Sequence, residues 1–516
     1  MNFKNPGSIV RKSTIGIVTY LLCFGVAQAF FPIRPFWNDE WRLIYNIKFK
    51  DISGLWGRLD LLQECPRAYL TILKIISERF DYSYLSLRLP PLIIGIGSIF
   101  FLFYLRRKIY PQSSVFSYLF ILIMVSSQTF TDYLVQVKHY EMDILLSLLA
   151  LLQLMILLKI SRDESVGKFT YLWLCLSFLV VPYFSYVYPI VAAPIFPIVL
   201  IESIRRLRQT DKSNARKLVA LYFPLVLVSV SIIIFYLIDV KNVMADKRMY
   251  DSYVWSYYKE GKPTFLENFW NLFALVGSGF VYEIIFGLLG LASFFYAIFR
   301  LQKARVQNFT TRHYLLLYAI LLVMVVSGLF LSGKLIGGVA RLTAYTVPAI
   351  SILIIAFLQG IKEKFNKVRV ANITFAVLVL GMFGNIISTC INTFAFSEYS
   401  YRINTYKNTA HALKKAREEN IPLLFTDRAR GDNLELPAQA PGRISSNTIT
   451  PEQIEGVEKL CAEAIIMVNP EYKVWDPVPL YFMPDGKWVN EYVNQLPSEF
   501  NSVIAVDGVK IMELSR

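Results

Sequence analysis

Long apolar segments recur along almost the whole chain of 516 residues, and they constrain its fold more than any other feature. A helix of roughly 17–25 apolar residues is long enough to cross a bilayer. Residues of hydrophobic type make up 55% of the chain, more than soluble domains normally carry. The sequence therefore predicts a polytopic α-helical membrane protein with about eleven transmembrane helices, some of them short. The segments are Ile15–Phe31, Leu89–Leu105, Val115–Phe130, Met142–Leu158, Tyr171–Val187, Tyr188–Ile201, Leu218–Ile238, Phe280–Phe299, Tyr314–Leu331, Leu342–Leu358 and Val370–Cys390.

Lysine and arginine are concentrated in every second loop between these segments, and cytoplasmic loops hold an excess of both residues. With eleven spans, this pattern places the basic loops and the N-terminus in the cytoplasm and the C-terminal tail outside. The net charge of +15 is therefore interpreted as a topology signal and not as a nucleic-acid footprint. The basic clusters lie at residues 4–12, 106–108, 159–168, 205–217, 300–312 and 362–369.

The first apolar segment is interpreted as a retained anchor, because it lacks a clear small-x-small cleavage site and is followed by Phe30-Phe31-Pro32. The cysteines are scattered without a CxxC spacing, so they predict neither a metal cluster nor a disulfide framework. Cys65 and Cys461 would both be extracytoplasmic and could pair, although nothing in the sequence requires it.

Two regions predicted to lie outside the membrane are long. Residues 34–88 form the first outer loop, which belongs to a predicted transmembrane domain of residues 1–392. The more polar residues 393–516 are predicted to form a small extracytoplasmic α/β domain, long enough to bury a core of its own. Within it the sequence predicts a helix and four strands and shows no catalytic motif. The helix spans residues 405–419 and the strands span 422–426, 464–468, 502–506 and 510–514.

An acidic pair, Asp39-Glu40, follows the first apolar segment directly. Charge at a membrane surface usually has a function. A carboxylate at the boundary of water and lipid can serve as a general base. The alternative is that the pair only stabilises the start of a juxtamembrane helix that begins near Trp41, since helix N-termini favour carboxylates.

Three motifs in the first part of the chain resemble the GT-C superfamily of membrane glycosyltransferases. They are Phe36-Trp37-Asn38-Asp39-Glu40 after the first span, Gln63-Glu64-Cys65-Pro66 before an amphipathic helix, and Ser86-Leu87-Arg88-Leu89-Pro90 at the start of the second span. The likeness is closest to the branch of protein O-mannosyltransferases and lipid A aminoarabinose transferases, and it covers residues 38–348. One departure is Arg67, where relatives carry a second proline or a small residue.

The resemblance implies an inverting transfer of a sugar from a polyprenyl-phosphate carrier to a lipid, glycan or protein acceptor. It further implies a bacterial inner (plasma) membrane and a reaction on the extracytoplasmic face. Asp39 matches the catalytic aspartate of the family and is expected to be the base, while Glu40 is expected to orient the site or hold a cation. Asp39, Glu40 and Asp143 could coordinate a divalent ion through oxygen. The branch does not imply one, so we expect no metal and no other cofactor.

A second group of candidate residues lies before the fourth span, where Lys138, Tyr140 and Asp143 match a Lys-x-Tyr-x-x-Asp pattern of similar relatives. Lys138 and His139 are expected to act as cationic donors to a phosphate, and Tyr140 and Asp143 to bind sugar hydroxyls or support the base. Asp143 falls where charge in a membrane is costly, which favours function. The alternative is an ordinary interfacial belt in which Lys138 reaches towards the headgroups.

A third group lies in the glycine-rich segment that runs from Gly333 to Arg341, which resembles a late loop of these enzymes. Lys334 and Arg341 are expected to neutralise the phosphate leaving group, whose charge grows in the transition state. The glycines are expected to let backbone N–H groups approach the same anion. The alternative is a common glycine-rich turn between helices.

Two other functions remain open for such a chain. A transporter or flippase of a lipid-linked glycan would also need buried charges and basic phosphate contacts. Transporter folds usually contain internal repeats with interrupted helices, and the sequence shows no such repeat. The long first outer loop and the folded tail also fit an enzyme better than a transporter. A former enzyme that now acts as a scaffold is also compatible with the sequence.

Overall fold

The computed structural model describes most of the membrane region and parts of the tail. The described residues are 6–30, 38–59, 63–111, 113–162, 164–207, 215–241, 243, 263–277, 279–304, 306–337, 339–364, 381–385, 387, 388, 411, 412, 415, 418, 419, 421, 423–426, 480–483, 502–507 and 510–515. Contacts within the chain divide it into two units. The first contains residues 1–25, 65–69 and 91–390, and the second contains residues 26–64, 70–90 and 391–516.

Seventeen α-helices are described, and most of them coincide with the predicted apolar segments. In chain order they are α1 (Pro6–Phe30), α2 (Asn38–Phe49), α3 (Ile52–Trp56), α4 (Arg67–Arg79), α5 (Tyr84–Ile109), α6 (Ser114–Ser126), α7 (Gln128–Tyr133), α8 (Tyr140–Ser161), α9 (Lys168–Val180), α10 (Tyr188–Ala192), α11 (Ile195–Leu207), α12 (Ala215–Phe235), α13 (Phe265–Ala274), α14 (Phe280–Lys303), α15 (Thr311–Leu331), α16 (Ala340–Thr343) and α17 (Val347–Lys364).

Eight helical segments of the described chain are long and apolar enough to cross a membrane, and two shorter apolar segments accompany them. These ten segments correspond to ten of the eleven predicted spans. The polytopic helical architecture is therefore confirmed. Most of the eleventh predicted span, Val370–Cys390, lies outside the described residues. The orientation of the helices relative to the two sides of the membrane stays a prediction.

Helix α8 is the central helix of the first unit, with 16 of its 22 residues buried. It packs against α10, α11 and α12 and against the 3₁₀ turn Ala344–Thr346. Polar groups within this packing are satisfied internally. Tyr188 donates a hydrogen bond of 2.6 Å to Gln153 Oε1, and Gln153 donates one of 2.9 Å to Ser177. Such pairing is needed where no water is available.

The basic ends of several helices meet around one buried carboxylate. Glu202 on α11 accepts hydrogen bonds from Arg205 at 2.6 Å, from Arg162 at 3.4 Å and from Arg206 at 3.5 Å. The Tyr314 hydroxyl also donates to it. Arg162, at the end of α8, donates to Thr311 at 2.7 Å as well. The C-terminal ends of α8 and α11 and the N-terminal end of α15 therefore lie at one level.

In the second unit, the described helices of the first outer loop are held by polar contacts to one another. Lys74 donates a hydrogen bond of 2.9 Å to the carbonyl oxygen of Ile47, and the Trp56 indole donates one of 3.1 Å to Thr71. Asp51 caps the short helix α3 by accepting from the Gly54 N–H at 2.7 Å. These contacts tie α2, α3 and α4 together, alongside fully buried apolar side chains such as Leu43, Leu55 and Leu73.

The tail contains a four-stranded sheet with the order β2-β1-β3-β4. Its strands are β1 (Leu423–Thr426), β2 (Leu480–Met483), β3 (Ser502–Asp507) and β4 (Lys510–Ser515). β1 is parallel to both β2 and β3, whereas β3 and β4 form an antiparallel hairpin. Three of the predicted strands are confirmed, β2 was not predicted, and residues 464–468 lie outside the described chain. The predicted helix 405–419 is described at only five positions.

Candidate functional site

The acidic pair occupies the first turn of α2. This helix begins at Asn38, three residues before the predicted start, so Asp39 and Glu40 are its second and third residues. A helix N-terminus stabilises negative charge at this position. The structure describes only the backbone of Asp39. Both residues belong to the second unit of the chain.

Glu40 is fully buried and forms an ion pair with Arg88, whose Nη1 lies 2.8 Å from Glu40 Oε1. The Arg88 guanidinium also lies over the ring of Tyr84, 5.3 Å from its centroid. A buried carboxylate needs such a partner, since an unpaired charge in this environment would be strongly destabilising. The cation held by Glu40 is thus an arginine of the helix that follows the first outer loop.

Four chain segments of the first unit bring ionisable side chains together in what we call the polar cluster, defined as Cys65, Arg67, His139, Asp143, Tyr186 and Asp239. The segments are the start of α4, the turn before α8, the break between α9 and α10, and the end of the helix that contains α12. All six residues are buried or half-buried.

One half of the polar cluster is built around Asp143 in the first turn of α8. Ser185 donates a hydrogen bond of 2.5 Å to Asp143 Oδ1, and His139 Nε2 lies 3.7 Å from Oδ2. Ser185 adopts an extended conformation between a 3₁₀ turn and α10, which interrupts the helical path and directs its hydroxyl at the carboxylate. The second carboxylate oxygen is thereby left with a longer contact than the first.

His139 lies between Asp143 and Cys65, and its Nδ1 is 3.4 Å from the Cys65 sulfur. Burial, with a smaller contribution from the positive charge of Lys138, lowers the pKa of His139 to about 3. Burial therefore favours the neutral imidazole, which can offer a neutral N–H, and the cationic role of His139 towards a phosphate stays a prediction. Burial likewise raises the pKa of the Cys65 thiol, so this free cysteine is also uncharged.

The other half of the polar cluster is a buried ion pair between Arg67 and Asp239. Arg67 Nε lies 3.5 Å from Asp239 Oδ1, and Tyr186 donates a hydrogen bond of 2.9 Å to the same oxygen. Tyr186 and the Arg67 guanidinium also contact the carbonyl oxygen of Cys65, at 3.1 and 2.9 Å. Asp239 lies in a π-helical turn, Tyr236–Val240, a conformation that is frequent at functional sites.

Lys138 and Tyr140 flank His139 and complete the second predicted group. Only 4% of Lys138 is exposed, which argues against the alternative of a lysine that reaches out to the headgroups. Its carbonyl oxygen accepts a hydrogen bond of 3.0 Å from Tyr69 on α4. The Tyr140 ring packs between Tyr133 and His139, with centroid distances of 4.9 and 5.0 Å. The binding roles of Lys138, His139, Tyr140 and Asp143 stay a prediction.

The glycine-rich segment is placed differently from the expectation. Gly333 has a positive φ of 67° and ends α15, and its N–H donates to Phe330. The Gly337 N–H donates a hydrogen bond of 2.7 Å to Asn268 Oδ1. Neither N–H is left to approach an anion, so the predicted role of these two glycines is wrong. Lys334 is exposed, and Arg341 is half-buried in α16.

Tyr345, one turn after Arg341, lies in the 3₁₀ turn Ala344–Thr346, which packs against α8, the helix that carries Asp143. Its side chain is fully buried, and its hydroxyl has no hydrogen-bond partner among the described residues. A buried hydroxyl without a partner costs free energy. A ligand oxygen that accepts a hydrogen bond from Tyr345 would remove that cost.

Sequence reasoning missed five of these residues: Arg67 as an ion-pair partner, and Ser185, Tyr186, Asp239 and Tyr345 altogether. One signal was available, since Asp239 is the only acidic residue of the apolar segment 218–240 and a lone charge in a span is rarely accidental. The other four are common residue types whose positions become significant only through contacts between distant segments.

No group of three or more histidine, cysteine, aspartate or glutamate side chains in the described part of the chain is arranged to hold a metal ion. Glu40 is paired with Arg88, and Asp239 is paired with Arg67. The alternative that Asp39, Glu40 and Asp143 coordinate a cation stays a prediction, because the Asp39 side chain is not described.

Comparison with solved structures identifies the fold. The chain is similar to ArnT from Cupriavidus metallidurans bound to undecaprenyl phosphate, with 12% identity and a TM-score of 0.52 over 96% of this chain and 97% of that one. The apo state of the same protein gives 12% identity and a TM-score of 0.50, over 95% and 92% of the two chains. No protein-family model matches the chain, and the comparison with curated proteins gave no match.

An archaeal oligosaccharyltransferase, AglB from Archaeoglobus fulgidus in complex with an inhibitory peptide and a dolichol-phosphate, is a more distant match. It has 10% identity and a TM-score of 0.43, over 81% of this chain and 63% of that one. ArnT and AglB are both members of the GT-C superfamily. At 12% identity, the two ArnT structures establish the fold of the chain but not its reaction.

Proposed function

The chain has the GT-C fold, and from this premise we propose that it is an inverting glycosyltransferase. It would move a sugar from a polyprenyl-phosphate donor to a lipid, glycan or protein acceptor on the extracytoplasmic face. The observation that carries the proposal is the polar cluster, in which buried ionisable groups lie at helix ends in a fold shared with a protein bound to undecaprenyl phosphate. Burying such groups is costly, and intramembrane ionisable residues commonly mark functional sites.

Asp39 is assigned as the general base of the reaction. The acceptor hydroxyl must lose its proton as it attacks the anomeric carbon, and the bond to the phosphate oxygen of the donor breaks on the opposite side. The start of α2 favours the ionised form of a carboxylate, which is the form that accepts a proton. Glu40 supports this position by pairing with Arg88, which fixes the first turn of α2.

The groups around Asp143 are assigned to the sugar and the phosphate of the donor. Asp143 Oδ2, which has no contact as short as that of Oδ1 with Ser185, can accept a hydrogen bond from a sugar hydroxyl. Tyr345 and the neutral His139 can donate one each. Lys138, Lys334 and Arg341 supply positive charge for the phosphate, which gains negative charge as the glycosidic bond breaks.

The experiment is sugar transfer by the purified protein in liposomes, with a panel of polyprenyl-phosphate sugars. For Asp39→Asn we expect a rate at least about 100-fold lower than that of the wild type, which is the lower end of the range for loss of a general base. Asp51→Asn is the matched control, because Asp51 is an exposed carboxylate of the same loop and asparagine can still cap α3. Full activity of the folded Asp39→Asn protein would remove Asp39 as the base.

The same assay tests the phosphate assignment and distinguishes a transporter. Arg341→Ala is expected to raise the KM for the donor about tenfold and to leave the range of acceptors unchanged; unaltered donor kinetics would contradict the role of Arg341. The protein could instead move a lipid-linked glycan across the bilayer and transfer no sugar from any donor of the panel. That result would show that it is a flippase and not a glycosyltransferase.

A further inference from the structure

A cavity of about 990 Å³ opens in the first unit at the end of α8 that lies away from the polar cluster. It is bounded by the ends of α5, α8, α9 and α15. Because α8 begins beside the polar cluster and ends beside this cavity, the two sites are separated by a helix of 22 residues, or about 33 Å. The cavity takes no part in the proposed sugar transfer.

The charged residues around the cavity are almost all basic. Among the described residues, no ion pair neutralises Arg107, Lys108, Lys159 or Arg312. Arg162 shares Glu202 with two other arginines, and its Nη2 has no hydrogen-bond partner in the described chain. The charged lining consists of Arg107, Lys108, Lys159, Arg162, Arg312 and the single acid Glu164.

The backbone adds to this positive potential. Gly167, the N-cap residue of the 13-residue helix α9, lines the cavity and supplies no side-chain cap. The first N–H groups of a helix lack partners within it, and they favour an anion. Excess basic side chains and an uncapped helix N-terminus therefore meet at one opening.

The cavity is also apolar on the side towards the middle of the membrane region. Leu152, Met155 and Ile156 line the cavity. They lie on the same face of α8 as Lys159, one to two turns further from the C-terminal end of the helix. Beside it, the exposed face of α9 presents Phe169, Leu172 and Leu176, which are 82%, 55% and 51% exposed. A ligand that fits both parts has an anionic head and hydrocarbon chains.

We propose that this cavity binds an anionic phospholipid, with its phosphate among the basic residues and its acyl chains along α8 and α9. A zwitterionic choline lipid has the same phosphate, but its cationic group would meet the excess positive charge. Inorganic phosphate could use the basic residues but would leave the apolar wall uncovered. Basic pockets between transmembrane helices are known to hold lipid head groups.

The test is native mass spectrometry of the full-length protein titrated with phosphatidylglycerol or phosphatidylcholine that carry identical acyl chains. Wild type is expected to retain phosphatidylglycerol preferentially. Lys108→Gln/Lys159→Gln is expected to bind it about tenfold more weakly, because each basic residue near the head group contributes to attraction. Both lysines are exposed, so their replacement disturbs no packing.

Lys303→Gln/Lys364→Gln is the matched control, since it removes the same charge from exposed lysines at other helix ends outside the cavity. Unchanged affinity in this control, together with weaker binding in the cavity variant, supports the site. Equal losses of affinity in both variants would show that phosphatidylglycerol is held by general electrostatic attraction to the protein. That result would overturn the proposed site. Equal retention of both lipids, or displacement of phosphatidylglycerol by millimolar inorganic phosphate, would overturn the lipid assignment.

Discussion

At the scale of single residues, buried ionisable groups differ in whether a partner compensates their charge. Glu40 pairs with Arg88 and Asp239 with Arg67. Glu141 is fully buried, and neither of its carboxylate oxygens has a hydrogen-bond partner within the described chain. Its neighbour Ser98 donates instead to Ile94. The paired residues contribute to fixing the helices, whereas Glu141 is an isolated polar group of the interior.

Breaking the Glu40–Arg88 pair is predicted to destabilise the protein more than removing both charges. Arg88→Met leaves a buried carboxylate without its partner and should cost about 3–5 kcal/mol, whereas Glu40→Gln/Arg88→Met should recover most of that loss. Thermal unfolding in detergent measures both variants. If the double variant is as unstable as Arg88→Met, the loss comes from packing of the arginine and not from the orphaned charge.

His139 gives a prediction of pH dependence. Its pKa is about 3 in the folded protein and 6.5 in an unfolded chain, so the unfolded state binds more protons between these values. The contribution of the neutral His139 to stability is therefore fully present above about pH 6.5, and it is lost as the pH falls towards 3. Between pH 7.5 and pH 5 the wild type should lose about 2 kcal/mol more than His139→Gln. Identical losses in the wild type and His139→Gln would disprove the assignment.

The sequence identified Lys138, Tyr140 and Asp143 because charge and aromatic residues are conspicuous beside an apolar span. It could not identify their partners. Arg67 and Asp239 are separated by 172 positions, and Tyr345 belongs to a 3₁₀ turn that packs against the helix of Asp143 from near the end of the membrane region. It also assigned a positive charge to His139, since the ordinary pKa of histidine does not include the cost of burial.

At the scale of elements, lengths of apolar segments predicted the helices well, whereas their interruptions were not predicted. The helix that contains α9 ends in a 3₁₀ turn at Val181–Phe184, and α12 continues into a π-helical turn. Both irregular turns place residues of the polar cluster. Pro182 is a local signal for the first turn, because proline breaks a helix, whereas no comparable residue marks the π-helical turn.

The connection between α15 and α16 is predicted to depend on the size of residue 337. A Cβ atom at Gly337 would overlap the backbone carbonyl of Asn268, whose side chain also accepts the Gly337 N–H. Gly337→Ala should therefore cost about 1–3 kcal/mol. A Cβ at Gly328, within α15, meets no atom within 4 Å, so Gly328→Ala should gain up to about 1 kcal/mol. Unfolding temperatures that move in the same direction for both variants would show that this contact is not tight.

At the scale of the whole molecule, the hydropathy pattern was sufficient for the membrane architecture. It was insufficient for the sheet of the tail. The parallel strand β1 pairs with β2 and β3, which lie more than fifty residues further along the chain. A short parallel strand has no hairpin to mark its partner in the sequence, which explains why β2 escaped prediction while the hairpin of β3 and β4 did not.

The predicted orientation of the chain can be tested by cysteine labelling in a variant without native cysteines. Lys303 and Lys334 are both exposed. Lys303 is the last residue of α14, at the end that leads into α15, whereas Lys334 follows the other end of α15. A membrane-impermeant maleimide added to intact spheroplasts should label Lys334→Cys, and should label Lys303→Cys only after permeabilisation. The reverse pattern would place the polar cluster in the cytoplasm.

Helix α6 is too short to cross the bilayer. Its 13 residues extend about 20 Å, against about 30 Å of hydrocarbon, and Ser127 then breaks the helix with an extended conformation. The chain from Ser127 to His139 contains the short helix α7 and is largely buried within the protein. Interrupted backbone at membrane depth must be buried in this way. If α6 lies in the bilayer from its first residue, the polar cluster is below the membrane surface. A phosphate anchored in lipid would then be close to the cluster, and a hydrophilic acceptor would have to enter from the aqueous side.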